Sequence, residues 1–133
     1  MSCLLRISGE FLNIEAMLVA SPLVSDRSWK KGERRNRKGV THASSGANFL
    51  VSERDLDEFD LQVRDATEFL QHHTGTIAAM VAFPGVQDAQ LDFGVALPEG
   101  MVTHCCHLPP LLIQLAGRAG IGLEISHYIC SND

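Results

Sequence analysis

Four consecutive residues, His104-Cys105-Cys106-His107, carry side chains that can bind a transition metal. Imidazole nitrogen and thiolate sulfur are donors that zinc prefers in proteins. Adjacent residues of an extended segment point in opposite directions, so at most two of these four can bind one ion. Because loop thiols and imidazoles without a metal are far commoner than complete sites, the sequence predicts no metal and no cofactor here.

A zinc site at this cluster would need further ligands from elsewhere in the chain, and His72, His73, His127 and Cys130 are the candidates. Each histidine also has a simpler explanation. His72 and His73 suit the negative end of a helix dipole, and His127 suits a hydrogen-bonded position in a core or edge strand. Zinc is the least favoured alternative and the only one that would make the chain an enzyme.

Other catalytic signatures are lacking from the sequence. It contains no G-x-S-x-G turn for a nucleophile and no glycine-rich loop of the kind that cradles phosphates. We therefore expect a non-catalytic protein.

The basic residues are concentrated in one segment. Seven of the eleven Lys and Arg residues lie between residues 27 and 38, where Glu33 is the only acidic residue, giving a net charge of +6. The remaining four basic and fifteen acidic residues give −11. Such a patch needs an anionic counterpart: the chain's own acidic surface, a partner protein, or phosphates. The candidate binding residues are Arg27, Trp29, Lys30, Lys31, Arg34, Arg35, Arg37 and Lys38.

Contact with protein is the favoured use of this basic segment, in an accessory or immunity-type role. It would dock on the acidic helix near residues 53–68, of its own chain or of a second copy, which favours a homodimer. The alternative is non-specific nucleic-acid binding, in which guanidinium groups bridge phosphates and Trp29 stacks on a base. The acidic overall balance, the single aromatic residue in the patch and the lack of a nucleic-acid-binding signature place this second.

The bulk properties predict a single cytoplasmic domain spanning residues 1–133. Apolar residues make up 45% of the chain and charged residues 20%, which excludes general disorder, although residues 27–46 are polar enough for a mobile loop. The sequence shows no secretory signal and no credible membrane span. The four cysteines lack C-x-x-C spacing and are expected to be free thiols.

The elements that would position these side chains can be predicted from periodicity. Alternation of apolar residues predicts strands at residues 2–9, 89–97 and 121–130, the last with Ile121, Leu123, Ile125, His127 and Ile129 facing inward. The short apolar run Phe49-Leu50-Val51 predicts a buried strand at residues 48–52.

Helix signals fall between these strands. Asn13 is a good N-cap for a short helix through Val19, and Ser52 with Asp55 resembles a capping box for a long helix that Gly75 ends. Residues 77–83 suit another short helix, with a strand as the alternative. Pro109 and Pro110 open a last helix that Gly120 ends. Together these elements predict an α+β two-layer sandwich, with one mixed sheet of four or five strands and helices on one face.

Three segments resemble a bacterial family catalogued as a domain of unknown function. They are residues 5–10 (Leu-Arg-Ile-Ser-Gly-Glu), residues 28–33 (Ser-Trp-Lys-Lys-Gly-Glu) and residues 115–128, which run from a helix through Gly120 into a strand. The resemblance would cover nearly the whole chain, and its motifs are structural. It implies a small bacterial α+β protein and supplies no catalytic residues.

Overall fold

The protein contains one mixed five-stranded sheet, and buried residues alternate with partly buried ones along its first strand. The computed structural model describes residues 2–130, except the side chain of Cys130. The strand order is β2-β3-β1-β4-β5, in which β4 and β5 are parallel and the other neighbouring pairs are antiparallel. The strands are β1 (Cys3–Gly9), β2 (Arg27–Trp29), β3 (Ser45–Ser52), β4 (Asp88–Pro98) and β5 (Gly122–Cys130).

Three helices lie between these strands in the described part of the chain: α1 (Ile14–Ala20), α2 (Phe59–Val81) and α3 (Pro110–Ala119). One mixed sheet with three helices confirms the predicted α+β class, whereas placement of the helices on one face stays a prediction. Among residues 2–130, none of the helices combines the length and the apolar character that a membrane span requires.

The two sides of the sheet differ in burial. Leu5 and Ile7 of β1 are fully buried and belong to the hydrophobic core, with Phe49 of β3 and Leu91 and Phe93 of β4. The alternate residues of the same strands are only partly buried. By register they share one side of the sheet, which we call the polar sheet face: Arg6, Ser8, Asn48, Gln90 and Asp92.

The N-terminus of α1 confirms the predicted cap. Asn13 has an extended backbone, and its side-chain oxygen accepts a hydrogen bond of 3.1 Å from the Ala16 amide. This satisfies one of the amides that the first helical turn leaves unpaired. Ile14 and Met17 then face the core.

The start of the long helix differs from the prediction. Ser52 is the last residue of β3, and its hydroxyl donates to Asp65 instead of capping a helix. The helix begins at Phe59. The Ser52 hydroxyl accepts from the amide of Arg54 at 3.3 Å, whereas the amide of Asp55, which a capping box would bring to Ser52, donates to Glu58 Oε1 at 3.1 Å. Gly75 does not end the helix either: α2 continues to Val81 with an irregular backbone at His73, which confirms helix over strand at 77–81.

The C-terminal helix and strand follow the prediction with one exception. Gly120 ends α3 in the left-handed conformation, with φ of 77°, as its position predicts. The inward face predicted for β5 is wrong at its end, where His127 and Ile129 are exposed. These two residues lie toward the end of an edge strand that pairs only with β4, where less of the core covers them.

Candidate functional site

The basic segment forms a hairpin. β2 pairs with β3, and an isolated bridge joins Arg34 to Thr41 beyond the end of β2. The turn is closed by Asn36, whose side-chain oxygen accepts hydrogen bonds from the amides of Lys38 at 3.0 Å and Val40 at 3.3 Å. The segment predicted as a loop over residues 27–46 therefore contains β2 and the start of β3. We call residues 27–48 the basic hairpin.

Two cations of the basic hairpin are paired within the chain. Lys31 Nζ lies 3.0 Å from Glu10 Oε1 and 4.9 Å from the centre of the Phe11 ring. Lys30 forms an ion pair with Glu15 of α1. Their side-chain hydrogen bond, reinforced by the attraction of opposite charges, lowers the pKa of Glu15 and raises the pKa of Lys30.

The hairpin thus contacts α1 and the residues before it. Within the described chain, no ion pair joins it to the acidic helix where intramolecular docking was predicted. The other cations of the hairpin make no ion pair with a described residue and are exposed: Arg27, Arg34, Arg35, Arg37 and Lys38.

A cavity of about 470 Å³ lies where the hairpin meets the polar sheet face. Its polar lining includes three guanidinium groups, and we call it the arginine cavity. Those guanidinium groups and their principal neighbours are Arg6, Arg27, Arg35, Trp29, His42 and Asn48.

Arg6 is the best-anchored cation of the arginine cavity. Its Nη2 lies 3.3 Å from Asp92 Oδ2, and its Nε donates to Asn48 Oδ1 at 3.3 Å. Asp92 also accepts a hydrogen bond of 2.7 Å from the Ser126 hydroxyl. The Asp92 carboxylate therefore neutralises part of the charge of Arg6, whereas Arg27 and Arg35 have no such neighbour among the described residues.

Trp29 is packed against the sheet and against a histidine. Its ring stacks on His42, with centroids 5.4 Å apart and an angle of 21° between the planes. Gly46 lies beneath it, since a Cβ at that position would be 2.6 Å from Trp29 Cζ2. One face of the indole is thus already covered, which limits the base stacking that the sequence suggested.

The sequence missed part of the cavity lining. Arg6, His42 and Asn48 join the predicted Arg27, Trp29 and Arg35 because β1, β2 and β3 are neighbours in the sheet. The only sequence signal was the polar character of alternate residues in β1 and β3, which period-two patterning assigns to one face of the sheet.

A second cluster of functional side chains includes part of the His-Cys run. One potential donor atom from each of His104, Cys106 and His127 lies within 4.8 Å of the other two. The rings of His104 and His127 are 5.7 Å apart in an edge-to-face arrangement. We call these three residues the His-Cys cluster.

The remaining candidate ligands do not join this cluster. Cys105 and His107 are exposed neighbours in the chain. On α2, the Nδ1 atom of His72 is 2.7 Å from the Glu68 carbonyl, and His73 packs on Phe69. The side chain of Cys130 lies outside the described residues. The spacing rule holds, since the two members of the run that converge are separated by one residue.

Two features of the His-Cys cluster bear on its chemistry. Nδ1 of His104 is buried and has no hydrogen-bond partner among the described residues. Burial, and secondarily the neighbouring Cys105, raises the pKa of the Cys106 thiol. The described cysteines Cys3, Cys105 and Cys106 are free thiols, and burial raises the pKa of Cys3 far above its ordinary value.

Comparison with known proteins adds no name to these sites: no protein family, curated protein or solved structure was found to match the chain.

Proposed function

We propose that this chain is a non-catalytic cytoplasmic binding protein that recognises an acidic surface of a partner protein through the basic hairpin. The observation that carries the proposal is the arginine cavity, where Arg27 and Arg35 lie beside the polar sheet face without an ion pair to a described residue. Its volume of about 470 Å³ falls in the range of protein binding pockets.

Carboxylates are the anions that this arrangement fits. A guanidinium group donates two parallel hydrogen bonds to a carboxylate, which adds orientation to the attraction of opposite charges. Asn48 and His42 offer further polar groups in the same cavity. A glutamate or aspartate of a partner can therefore enter between the arginines while its neighbours meet Arg34, Arg37 and Lys38 on the outside of the hairpin.

Several features favour a protein over a nucleic acid as the partner. Asp92 lies next to Arg6 on the polar sheet face, so a continuous track of phosphates would meet negative charge there. Trp29 has one face covered by His42, and single-strand binding relies on free aromatic faces. A mixed-charge protein surface tolerates both features. Nucleic-acid binding remains the second candidate, supported by the five exposed cations of the hairpin that make no ion pair with a described residue.

The test compares two probes of equal formal charge: a fluorescent polyglutamate peptide and a fluorescent single-stranded oligonucleotide. Fluorescence anisotropy gives the affinity of the wild-type chain for each probe at low salt. We expect tighter binding of the peptide. The double variant Arg27→Gln, Arg35→Gln should bind it about tenfold more weakly, a loss of ~1.4 kcal/mol, because it removes two cations of the arginine cavity.

The matched control is Lys30→Gln, Lys31→Gln, which removes the same charge from the hairpin at positions paired with Glu15 and Glu10. Its peptide affinity should change less than that of the arginine variant. Equal losses in the two variants would mean that net charge alone governs binding and would contradict a specific arginine cavity. Tighter binding of the oligonucleotide would favour the nucleic-acid alternative.

A further inference from the structure

The His-Cys cluster joins two segments that are distant in the sequence. His127 lies on the edge strand β5, opposite Val95 of the parallel strand β4. His104 and Cys106 lie in residues 99–109, the segment that leads from β4 to α3. The chain leaves the end of β4 and passes close enough to β5 for the rings of His104 and His127 to meet edge to face.

The distances within this cluster suit a metal ion after a small closure. The three donor atoms lie within 4.8 Å of one another, and donors around a tetrahedral zinc are about 3.5 Å apart, given bonds of ~2.1 Å to nitrogen and ~2.3 Å to sulfur. Two imidazoles and one thiolate form a borderline-soft ligand set of the kind that zinc occupies.

We propose that His104, Cys106 and His127 bind one Zn²⁺ ion and fasten residues 99–109 to strand β5. Three protein ligands leave the fourth tetrahedral position to a water molecule or to a ligand from outside. This site lies outside the arginine cavity and does not depend on the proposed binding function.

The unpartnered nitrogen of His104 supports the site. Buried polar atoms are almost always hydrogen-bonded, and a buried one without a partner requires an explanation. Nδ1 of His104 has none among the described residues, and a metal bond to this nitrogen would supply the missing partner. A histidine packed only for its shape would carry a desolvation cost with no return.

The backbone around the ligands supports it as well. Residues 102–108 make no backbone hydrogen bond with any described residue, and Val102 is 99% exposed. Few interactions therefore fix this segment between β4 and α3. A metal ion bound by all three residues would fasten the middle of this segment to the sheet, through two bonds from His104 and Cys106 and one bond from His127 of β5.

The experiment uses the full chain, purified without a histidine tag, reduced and stripped of metal by a chelator. Zn²⁺ is titrated in competition with a chromophoric chelator, and we expect one ion per chain. Cys106→Ser and His127→Gln should each weaken the affinity at least about tenfold, since loss of even an outer-shell partner of a metal ligand commonly costs that much.

The matched controls are Cys105→Ser and His107→Gln, which alter the same residue types one position away from Cys106 and leave the His-Cys cluster intact. Their zinc affinity should stay close to that of the wild type. Co²⁺ gives a second readout, because a cobalt–thiolate bond produces charge-transfer absorption in the near ultraviolet. That absorption should appear in the wild type and in Cys105→Ser and disappear in Cys106→Ser.

Cys106→Ser changes the segment that connects β4 to α3, and His127→Gln changes an exposed position of the edge strand β5. If one variant folds poorly, the other still shows whether loss of a ligand weakens zinc binding. Sub-stoichiometric zinc in the wild type would overturn the proposal. So would equal losses in the control variants, or cobalt binding without thiolate absorption.

Discussion

A buried glutamine connects the long helix to the sheet. Gln62 of α2 is fully buried, and its Nε2 donates to the carbonyls of Gly94 at 2.8 Å and Asp55 at 3.1 Å. One side chain thereby fixes the residues before α2 and the middle of β4 in a single arrangement. Its Oε1 has no partner among the described residues, so the position is only partly satisfied.

We expect Gln62→Leu to lower the free energy of unfolding by about 1–2 kcal/mol, because the carbonyls of Asp55 and Gly94 lose a donor in a buried place. Urea denaturation measures the change. The control is Gln71→Leu on the same helix, where the side chain is exposed and the effect should remain within about 0.5 kcal/mol. A free energy of unfolding equal to that of the wild type would contradict this prediction and would mean that relief of the unpartnered Oε1 balances the two lost hydrogen bonds.

The proposed role of the basic hairpin can also be tested by substituting the acidic partners of Lys30 and Lys31 instead of the lysines. Glu10→Gln with Glu15→Gln leaves both lysines unpaired, which raises the positive potential of the hairpin. The double variant should therefore bind the polyglutamate peptide more tightly than the wild type in the anisotropy assay. Unchanged affinity would indicate that this side of the hairpin lies away from the bound anion.

At the scale of elements, α2 contains a glycine at a position whose backbone conformation any residue could adopt. Gly75 is exposed, has negative φ, and a Cβ built on it would meet nothing within 4 Å. Glycine inside a helix lowers stability because it loses more backbone freedom on folding than any other residue. Gly75→Ala should therefore raise the free energy of unfolding by about 0.5–1 kcal/mol in urea denaturation.

Gly120 provides the opposite case with the same substitution. It ends α3 with φ of +77°, and an added Cβ would lie 3.3 Å from Val81 Cγ1. Gly120→Ala should lower the free energy of unfolding by about 1 kcal/mol, because an L-residue is strained in the left-handed region. Changes of the same sign at Gly75 and Gly120 would contradict this account of the two positions.

Short sequence patterns correctly predicted the helix ends that depend on a single capping residue. Asn13 and Gly120 cap their helices in the predicted way because each cap depends only on nearby backbone. The predicted start of α2 was wrong because the Ser52 side chain is bonded to Asp65, an interaction between distant residues that capping patterns do not contain. The five-strand order and the parallel β4–β5 pair likewise required tertiary contacts.

The candidate sites were predictable to different extents for the same reason. The basic hairpin is continuous in sequence, so composition alone identified Arg27 and Arg35. Arg6 joins them only through the register of β1 against β3. In the His-Cys cluster, spacing predicted that few members of the run converge, and the choice of His127 depends on the parallel pairing of β5 with β4.

At the scale of the whole molecule, charge is segregated. The hairpin segment 27–38 has a net charge of +6 against −11 for the remaining sequence. Lys30 and Lys31 are balanced within the chain, but the carboxylates at residues 53–60 make no ion pair with any described residue. Each molecule thus presents both a basic surface and an acidic one.

A second copy of the chain is the simplest source of the acidic surface that the basic hairpin is proposed to bind. We expect weak self-association at low ionic strength, seen as an average mass in sedimentation velocity that rises with concentration. It should disappear at high salt, because the screening length falls to ~3 Å at 1 M. Arg35→Glu with Arg37→Glu should abolish it by reversing charge at the hairpin.

The matched control for self-association is Arg118→Glu with Ile113→Glu and Gln114→Glu, three exposed positions of α3 that lie outside both the basic hairpin and residues 53–68. It changes the net charge by the same amount, so general repulsion between molecules rises equally in the two variants. If the hairpin meets the acidic helix of a second copy, the control keeps its association while the hairpin variant sediments as a monomer. Equal loss in both would attribute the effect to net charge. A wild-type monomer at every salt concentration would assign the acidic surface to a different protein.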